Sequence, residues 1–286
     1  MRRGATPYLF LLVPLVLLFS FTYLPVFNMI RYSFTSWDGL SPRMKNVGLK
    51  NYQSVFTRPD ILRVFFVSLF YLGGAVVQMM LALYFATILS FNVRFRNLFK
   101  GILFFPFLIN AVAVGFIFLY CFQPGGTLDT VVGLFGVKNP PQWLGNPNLA
   151  NYSLTGTSVW RYMGLNFVLF LGAIQSIPRH LYEAAEIDGA TRWQQFRYII
   201  APGIKPIIGL STILAISGSL AVFEVPYIMT AGSNGTMTFV IQTVRMAFDI
   251  HKYGLASAMA VVLLLFVLVI TYVQRRIVPD ERVSLT

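Results

Sequence analysis

Two formal charges, Arg161 and Glu224, lie within apolar stretches long enough to cross a membrane. Ionisable side chains are expensive in hydrocarbon, and they usually face a bundle interior or an aqueous cavity. Near them in sequence are Ser158, Trp160, Tyr162, Asn166, Ser217 and Ser219. Hydroxyl and amide groups hydrogen-bond hydroxylated solutes, and aromatic faces stack on sugar rings. With both chain termini on the inner side, Arg161 and Glu224 sit roughly 12 Å and 8 Å from the outer ends of their spans. Similar depth makes an Arg161–Glu224 pair the expectation. The alternative is that each side chain snorkels separately to the interface. The small polar residues also have a second reading, in which they only let helices pack closely, as at Gly254 and Ala258.

A second polar segment, 178–205, leaves the apolar pattern yet is built to fold. Leu181 to Asp188 has the composition of a short helix, with Ala184 and Ala185 giving it a narrow side. Gly189 permits the positive φ that ends such a helix. Thr191 followed by Gln194 is a capping-box signature for a second one. In it Trp193, Phe196 and Ile200 share a face, and Pro202 is placed to stop it before the next span. A helix-turn-helix held at a membrane surface suits docking of a partner. The same pattern also suits an amphipathic loop packed on its own bundle.

Other chemistry is missing. There is no Gly-x-x-x-x-Gly-Lys-Ser/Thr phosphate loop, so any ATP chemistry belongs to another chain. His180 and His251 are far apart, and no His-Glu-x-x-His motif exists. The lone Cys121 forms no intrachain disulfide and no thiolate metal site. The ten carboxylates are scattered, which argues against an intramembrane enzyme. A secondary transporter or channel is the other rival. Ion coupling wants carboxylates near mid-membrane and broken helices, whereas the sole candidate, Glu224, sits near an edge.

The elements that position these residues follow from composition. Of 286 residues, 56% are apolar and only 11% charged, too few to coat a water-soluble body of this size. Six apolar stretches, near 8–30, 64–90, 101–122, 153–177, 206–229 and 253–274, can each span about 30 Å as a helix. The first is read as a retained span, because its apolar run is longer than a cleavable signal and no small-x-small site follows. The expected fold is all-α, a polytopic membrane protein of about six transmembrane helices, with 1–286 forming a single domain. The net charge of +12 fits a positive-inside membrane protein better than a nucleic-acid footprint. Arg2, Arg3, Arg94, Arg96, Lys100, Arg179, Arg192, Arg197, Lys205, Arg275, Arg276 and Arg282 fall on one side when both termini are inside. Residues 239–248 carry apolar positions at the spacing of a helix lying on the membrane. Pro140, Pro141, Trp143, Gly145 and Pro147 mark a turn-rich interfacial loop.

Glu183-Ala184-Ala185, then Asp188-Gly189-Ala190, Phe196 and Pro202, resemble the EAA loop of binding-protein-dependent ABC importer permeases. The stretch from Gln175 through Pro206 is similar to the carbohydrate-uptake, maltose and glycerol-phosphate-type branch. Residues 48–60, Trp143 to Asn148 and Phe248 to Val262 extend the likeness over nearly the whole chain. Two places depart from the pattern: Ala201, where the family usually has leucine, and Thr230 to Asn234, where a Gly-Gly-Pro run is common.

The resemblance implies a type I ABC importer permease in the cell membrane, the first subunit of a heterodimeric pair. Its implied partners are a second permease, a cytoplasmic ATPase dimer and an extracytoplasmic solute-binding protein, all serving the lipid bilayer and no nucleic acid. ATP and Mg would bind the ATPase, with no cofactor in this chain. Glu183 would meet a basic group on the ATPase; Ala184, Ala185 and Gly189 would allow close approach; Asp188 would brace the turn, and Phe196 belongs to the same docking element. Solute contacts in the family fall near Asn110, Ser158, Tyr162, Leu165, Gly218, Ser219 and Val222. Trp160, Arg161, Asn166 and Glu224 complete the candidate pathway.

Overall fold

The computed structural model describes residues 6–91 and 93–277. Arg2, Arg3 and Arg282 of the proposed inner charge cluster lie outside the described residues, as does the side chain of Arg275. In a solvent that offers no hydrogen bonds, backbone groups must be satisfied within the segment, and helices do this. Among the described residues every regular element is helical, apart from one isolated bridge between Thr35 and Asn46. In chain order they are α1 (Thr6–Leu18), a π-turn (Phe19–Tyr23), α2 (Leu24–Ser33), α3 (Lys50–Thr57) and α4 (Pro59–Ser90). Next come α5 (Arg96–Leu108), α6 (Ala111–Cys121), α7 (Thr127–Leu134), α8 (Pro147–Ser176), α9 (Arg179–Ile187) and α10 (Arg192–Gln195). A second π-turn (Phe196–Ile200) leads to α11 (Ala201–Gly203), α12 (Lys205–Leu220), α13 (Glu224–Thr230), α14 (Phe239–Phe248) and α15 (Tyr253–Ile277).

Four stretches are long and apolar enough to cross a bilayer: Phe10–Ser33, Pro59–Ser90, Lys205–Thr230 and Tyr253–Gln274. The pair α5 and α6 makes a fifth if taken together, but it is bent by 96°. The stretch 101–122 is therefore two helices rather than one. Inside α5, Pro106 has no N–H to donate, and Ile109 turns to extended backbone (ψ 133°). Asn110 then restarts the helix by accepting a hydrogen bond from Val112 N at 2.8 Å. The sixth stretch, α8, has ample length at 30 residues but is more polar. Its Asn151, Ser153, Thr157 and Asn166 are turned into protein and buried, while Tyr152, Trp160 and Val168 on the other side are exposed.

The chain packs as two compact units. The first comprises the described residues of Met1–Arg63 with Gln242–Phe266. Here the loop after α2 is ordered by side chains: Asn51 Nδ2 donates to the carbonyls of Ser33 and Thr35, both at 2.8 Å. Trp37 lies between Tyr32 and Tyr253, with ring centroids at 4.5 and 5.7 Å. A Cβ at Gly254 would collide with the Thr35 carbonyl, so only glycine lets α15 begin there.

The second unit comprises Val64–Ile241 and the described residues of Val267–Thr286. One core joins Ala82, Ala86 and Leu89 of α4, Phe167, Phe170, Leu171 and Ile174 of α8, and Ile200 and Ile204. A second gathers Val67, Tyr71, Leu154, Val225 and Met229. The turn-rich loop is tied down where Trp143 Nε1 donates to Asp129 at 2.7 Å and Asn234 Nδ2 donates to the Leu144 carbonyl at 2.8 Å. The helix expected at 239–248 forms, but it does not simply lie on a membrane. Phe239, Ile241, Met246 and Ala247 are buried in protein, while Phe248 is exposed.

Candidate functional site

Two groups of residues in the second unit bear on function. The first lies where α8 meets the interrupted helices. At Gly164 the backbone of α8 approaches that of α5 so closely that a Cβ would collide with the Leu103 carbonyl. At Gly115 a Cβ would meet Ile228 at 3.0 Å, so α6 and α13 also cross on a glycine. The fifth expected span, 206–229, breaks too: α12 ends at Leu220, Phe223 takes φ −141° and ψ −60°, and α13 restarts at Glu224. Irregular backbone at membrane depth is tolerated only where protein buries it or a cavity hydrates it. Both interruptions are therefore candidate pathway walls. Hydropathy alone leads one to expect these spans unbroken, although Pro106, Asn110 and the small-residue run Ser217-Gly218-Ser219 carry a signal.

Trp160, Arg161 and Tyr162 of α8 are brought against this region. Trp160 packs edge-on against Phe118 of α6 at 5.1 Å, and Tyr162 lies 6.3 Å from Phe107 of α5. The Arg161 guanidinium donates to Tyr162 Oη at 2.9 Å and lies 4.9 Å from the ring centroid, while its buried Nε has no partner. The expected Arg161–Glu224 pair does not form. Among the described residues the ion pairs are Arg58–Asp60 at 2.7 Å and Arg179–Glu183 at 3.1 Å. Glu224 is instead exposed in the first turn of α13, where free amides favour a carboxylate. The hydroxyls of Ser158 and Ser219 donate to their own helix, to Leu154 O at 3.2 Å and Ala215 O at 2.7 Å. Each keeps acceptor capacity only. Asn166 is 6% exposed, and Asn110 is exposed at the cap of α6. No hydrogen bond or ion pair links Ser219 or Glu224 to Arg161.

The second group is the segment 178–205. It folds as α9, a turn and α10. Asp188 closes α9 with φ −73° and ψ 1°, and Gly189 follows at φ +73°, in the left-handed region that favours glycine. The capping box is complete: Thr191 Oγ1 accepts from Gln194 N at 3.4 Å, and Gln194 Oε1 accepts from Thr191 N at 2.7 Å. Such a cap is worth about 1 kcal/mol.

Trp193 and Phe196 stack at 5.4 Å, but the expected apolar face divides. Ile200 is fully buried, Phe196 packs on the α4–α8 core, and Trp193 stays 65% exposed. Pro202 does not end the helix. The π-turn shifts the ladder so that Ala201 N bonds to Phe196 O, and the proline is accommodated in the first turn of α11. The break comes at Ile204, with φ −103° and ψ 5°.

Glu183 pairs with Arg179 four residues earlier, an exposed contact worth only about 0.3–0.5 kcal/mol. Ala184 is exposed, Ala185 half-buried, and nothing lies within 4 Å of a Cβ built on Gly189. Ile187 is 87% exposed. A mixed polar and apolar prominence, turned at Gly189, thus stands out from a core that holds its base.

An all-helical membrane chain with buried polar residues and such a prominence has the architecture of a transport permease. The chain belongs to the family described as "Binding-protein-dependent transport system inner membrane component", which matches residues 78–283. It is 31% identical over 277 residues to "Probable ABC transporter permease protein YurN" of Bacillus subtilis (strain 168), covering 94% of each chain. It is 30% identical over 269 residues to the multiple sugar-binding transport system permease protein MsmF of Streptococcus mutans serotype c, covering 93% of this chain and 92% of that one. A crystal structure of a bacterial ABC transporter involved in the import of the acidic polysaccharide alginate superposes with a TM-score of 0.83. That chain is 23% identical, with 96% of this chain and 97% of the other covered, and the likeness concerns the fold. The chain is accordingly a multi-pass membrane component of a transport system, not an enzyme.

Proposed function

We propose that this chain forms half of the pathway by which a sugar or related solute, delivered by a separate extracytoplasmic binding protein, is imported at the expense of ATP. The observation that carries this reading is the exposed α9–α10 prominence. Its tip is open at Gly189, and its base is locked by Ile200, Ile204 and Phe196 into the same core as α4 and α8. A packed core moves as a body rather than yielding locally, so a force on the tip would be carried to α8 and to Trp160–Tyr162. A cytoplasmic ATPase dimer, holding ATP and Mg, would supply that force through Glu183, Ala184, Ala185, Asp188, Gly189 and Phe196.

In this reading residues 1–286 act as one permease subunit with both termini in the cytoplasm, paired with a second permease subunit. Asn110, Ser158, Trp160, Arg161, Tyr162, Asn166, Ser219 and Glu224 would face the solute path. The carbohydrate reading draws on relatives such as MsmF, whose name records sugar binding. ATP-driven closure would shift the pathway between inward and outward access, and the receptor would favour one of the two states. Interrupted helices also occur in secondary transporters. Membership of a binding-protein-dependent family favours the ATP-driven reading.

Co-expression with candidate permease, ATPase and solute-binding subunits tests the proposal. The chain should copurify with a second permease and an ATPase, and ATP hydrolysis should rise on adding solute-loaded receptor. Uptake by this chain alone, indifferent to ATP, would overturn it.

A further inference from the structure

A cleft of about 730 Å³ opens beside the base of the prominence, between the start of α5, the end of α8 and α9. Arg96, Lys100, Arg179, Tyr182, Glu186 and Gln195 line it, three cations to one carboxylate. Arg179 is shared with Glu183, whereas Arg96 and Lys100 take part in no ion pair among the described residues. The Nε of Arg96 and the hydroxyl of Tyr182 are both buried without a hydrogen-bond partner, and Gln195 beside them is 96% buried. Buried polar groups are nearly always satisfied, so orphaned donors at one site ask for an acceptor.

The helix beside them makes the same demand. α5 begins without a side-chain cap and with no acidic residue in its first turn, and it places Arg96 at its positive end with Lys100 one turn further on. Cations there are disfavoured by the helix dipole, and an anion reverses the sign. On the other side of Phe91, which lines both, begins a mostly apolar groove between Met80, Leu83, Tyr84, Thr87 and Ile88 of α4 and Arg192, Trp193 and Phe196.

From these features we infer that the cleft binds a phosphate-bearing anion, and that the bilayer supplies it as the headgroup of an anionic phospholipid. Arg96, Lys100 and Tyr182 donate to the phosphate oxygens, and the apolar groove that starts at Phe91 receives acyl chain. Basic pockets at the inner ends of spans suit such headgroups. The inference rests on the membrane setting of the chain and not on docking of an ATPase.

The test uses the full-length chain released from nanodiscs of equal phosphatidylglycerol and phosphatidylcholine, with retained lipids counted by native mass spectrometry. Phosphatidylglycerol should be retained preferentially, with the preference falling about fivefold for each cation removed in R96Q and K100Q. The R96K/K100R chain should keep it, which separates lost charge from lost folding. A second arm titrates inorganic phosphate into the lipid-free chain in detergent. Binding there that is abolished in R96Q/K100Q, without a lipid preference, would keep the phosphate site and make its source soluble. Three results would overturn the inference: no anion response in either arm, a lipid preference untouched by R96Q/K100Q, or loss of ATPase copurification in that variant with lipid retention unchanged.

Discussion

Single residues carry the sharpest expectations. Gly189 sits at φ +73° with open space around it, so a larger side chain there meets strain but no clash. Gly189→Val should impose roughly 1–2 kcal/mol of left-handed strain on the turn. In the assembled transporter this should lower receptor-stimulated ATP hydrolysis while lowering the melting temperature of the chain by only a few degrees. Arg161 engages Tyr162 rather than Glu224. Uptake lost in Arg161→Glu should therefore not return in the R161E/E224R double reversal, as measured by radiolabelled solute accumulation in vesicles.

Asp38 offers a pH test outside the membrane. Its carboxylate accepts from Ser41 Oγ at 2.6 Å and from the amides of Ser41 and Leu40 at 2.8 and 3.0 Å. These bonds, that of the Ser41 hydroxyl foremost, hold its pKa down at about 2. A depressed carboxylate stabilises its loop above the ordinary value near 3.8 and loses that contribution as pH falls towards 2. A carbon-13 carboxyl titration should place the Asp38 midpoint near 2, and a midpoint near 4 would refute the turn.

At the scale of elements, helix crossings depend on glycines. Gly164→Val would drive a side chain into the α5 backbone, and overpacking of this kind destabilises by roughly 1–3 kcal/mol. A Gly172→Val control on the same helix has open space and should melt close to the parent. How legible each element was depended on how local its causes are. The turn at Asp188-Gly189, the Thr191–Gln194 box and the helices flanking them were readable because φ preference and capping act within a few residues. The interruptions at 109–110 and 221–223 were not drawn, because hydropathy sums over a window and does not register one missing donor at Pro106. Pro202 misled for a related reason: a π-turn accommodated the ring, and the decisive break moved to Ile204.

For the whole molecule, composition indicated a helical membrane chain, and the resemblance carried by Glu183 to Pro202 indicated its family. What composition could not resolve is the inequality among spans. α8 is the long helix whose polar residues are buried, a property of three-dimensional neighbours rather than of sequence average. The pairing of Arg161 with Glu224 failed likewise, since equal depth says nothing of rotation about a helix axis.

In the proposed function the prominence at 179–195 is where an ATPase drives the chain. Replacing Ala184, an exposed position on α9, by a benzophenone-bearing amino acid and illuminating the assembled transporter tests this directly. A cross-link to the ATPase subunit is expected, with a yield that changes when ATP is added. A cross-link confined to this chain, insensitive to ATP, would contradict it.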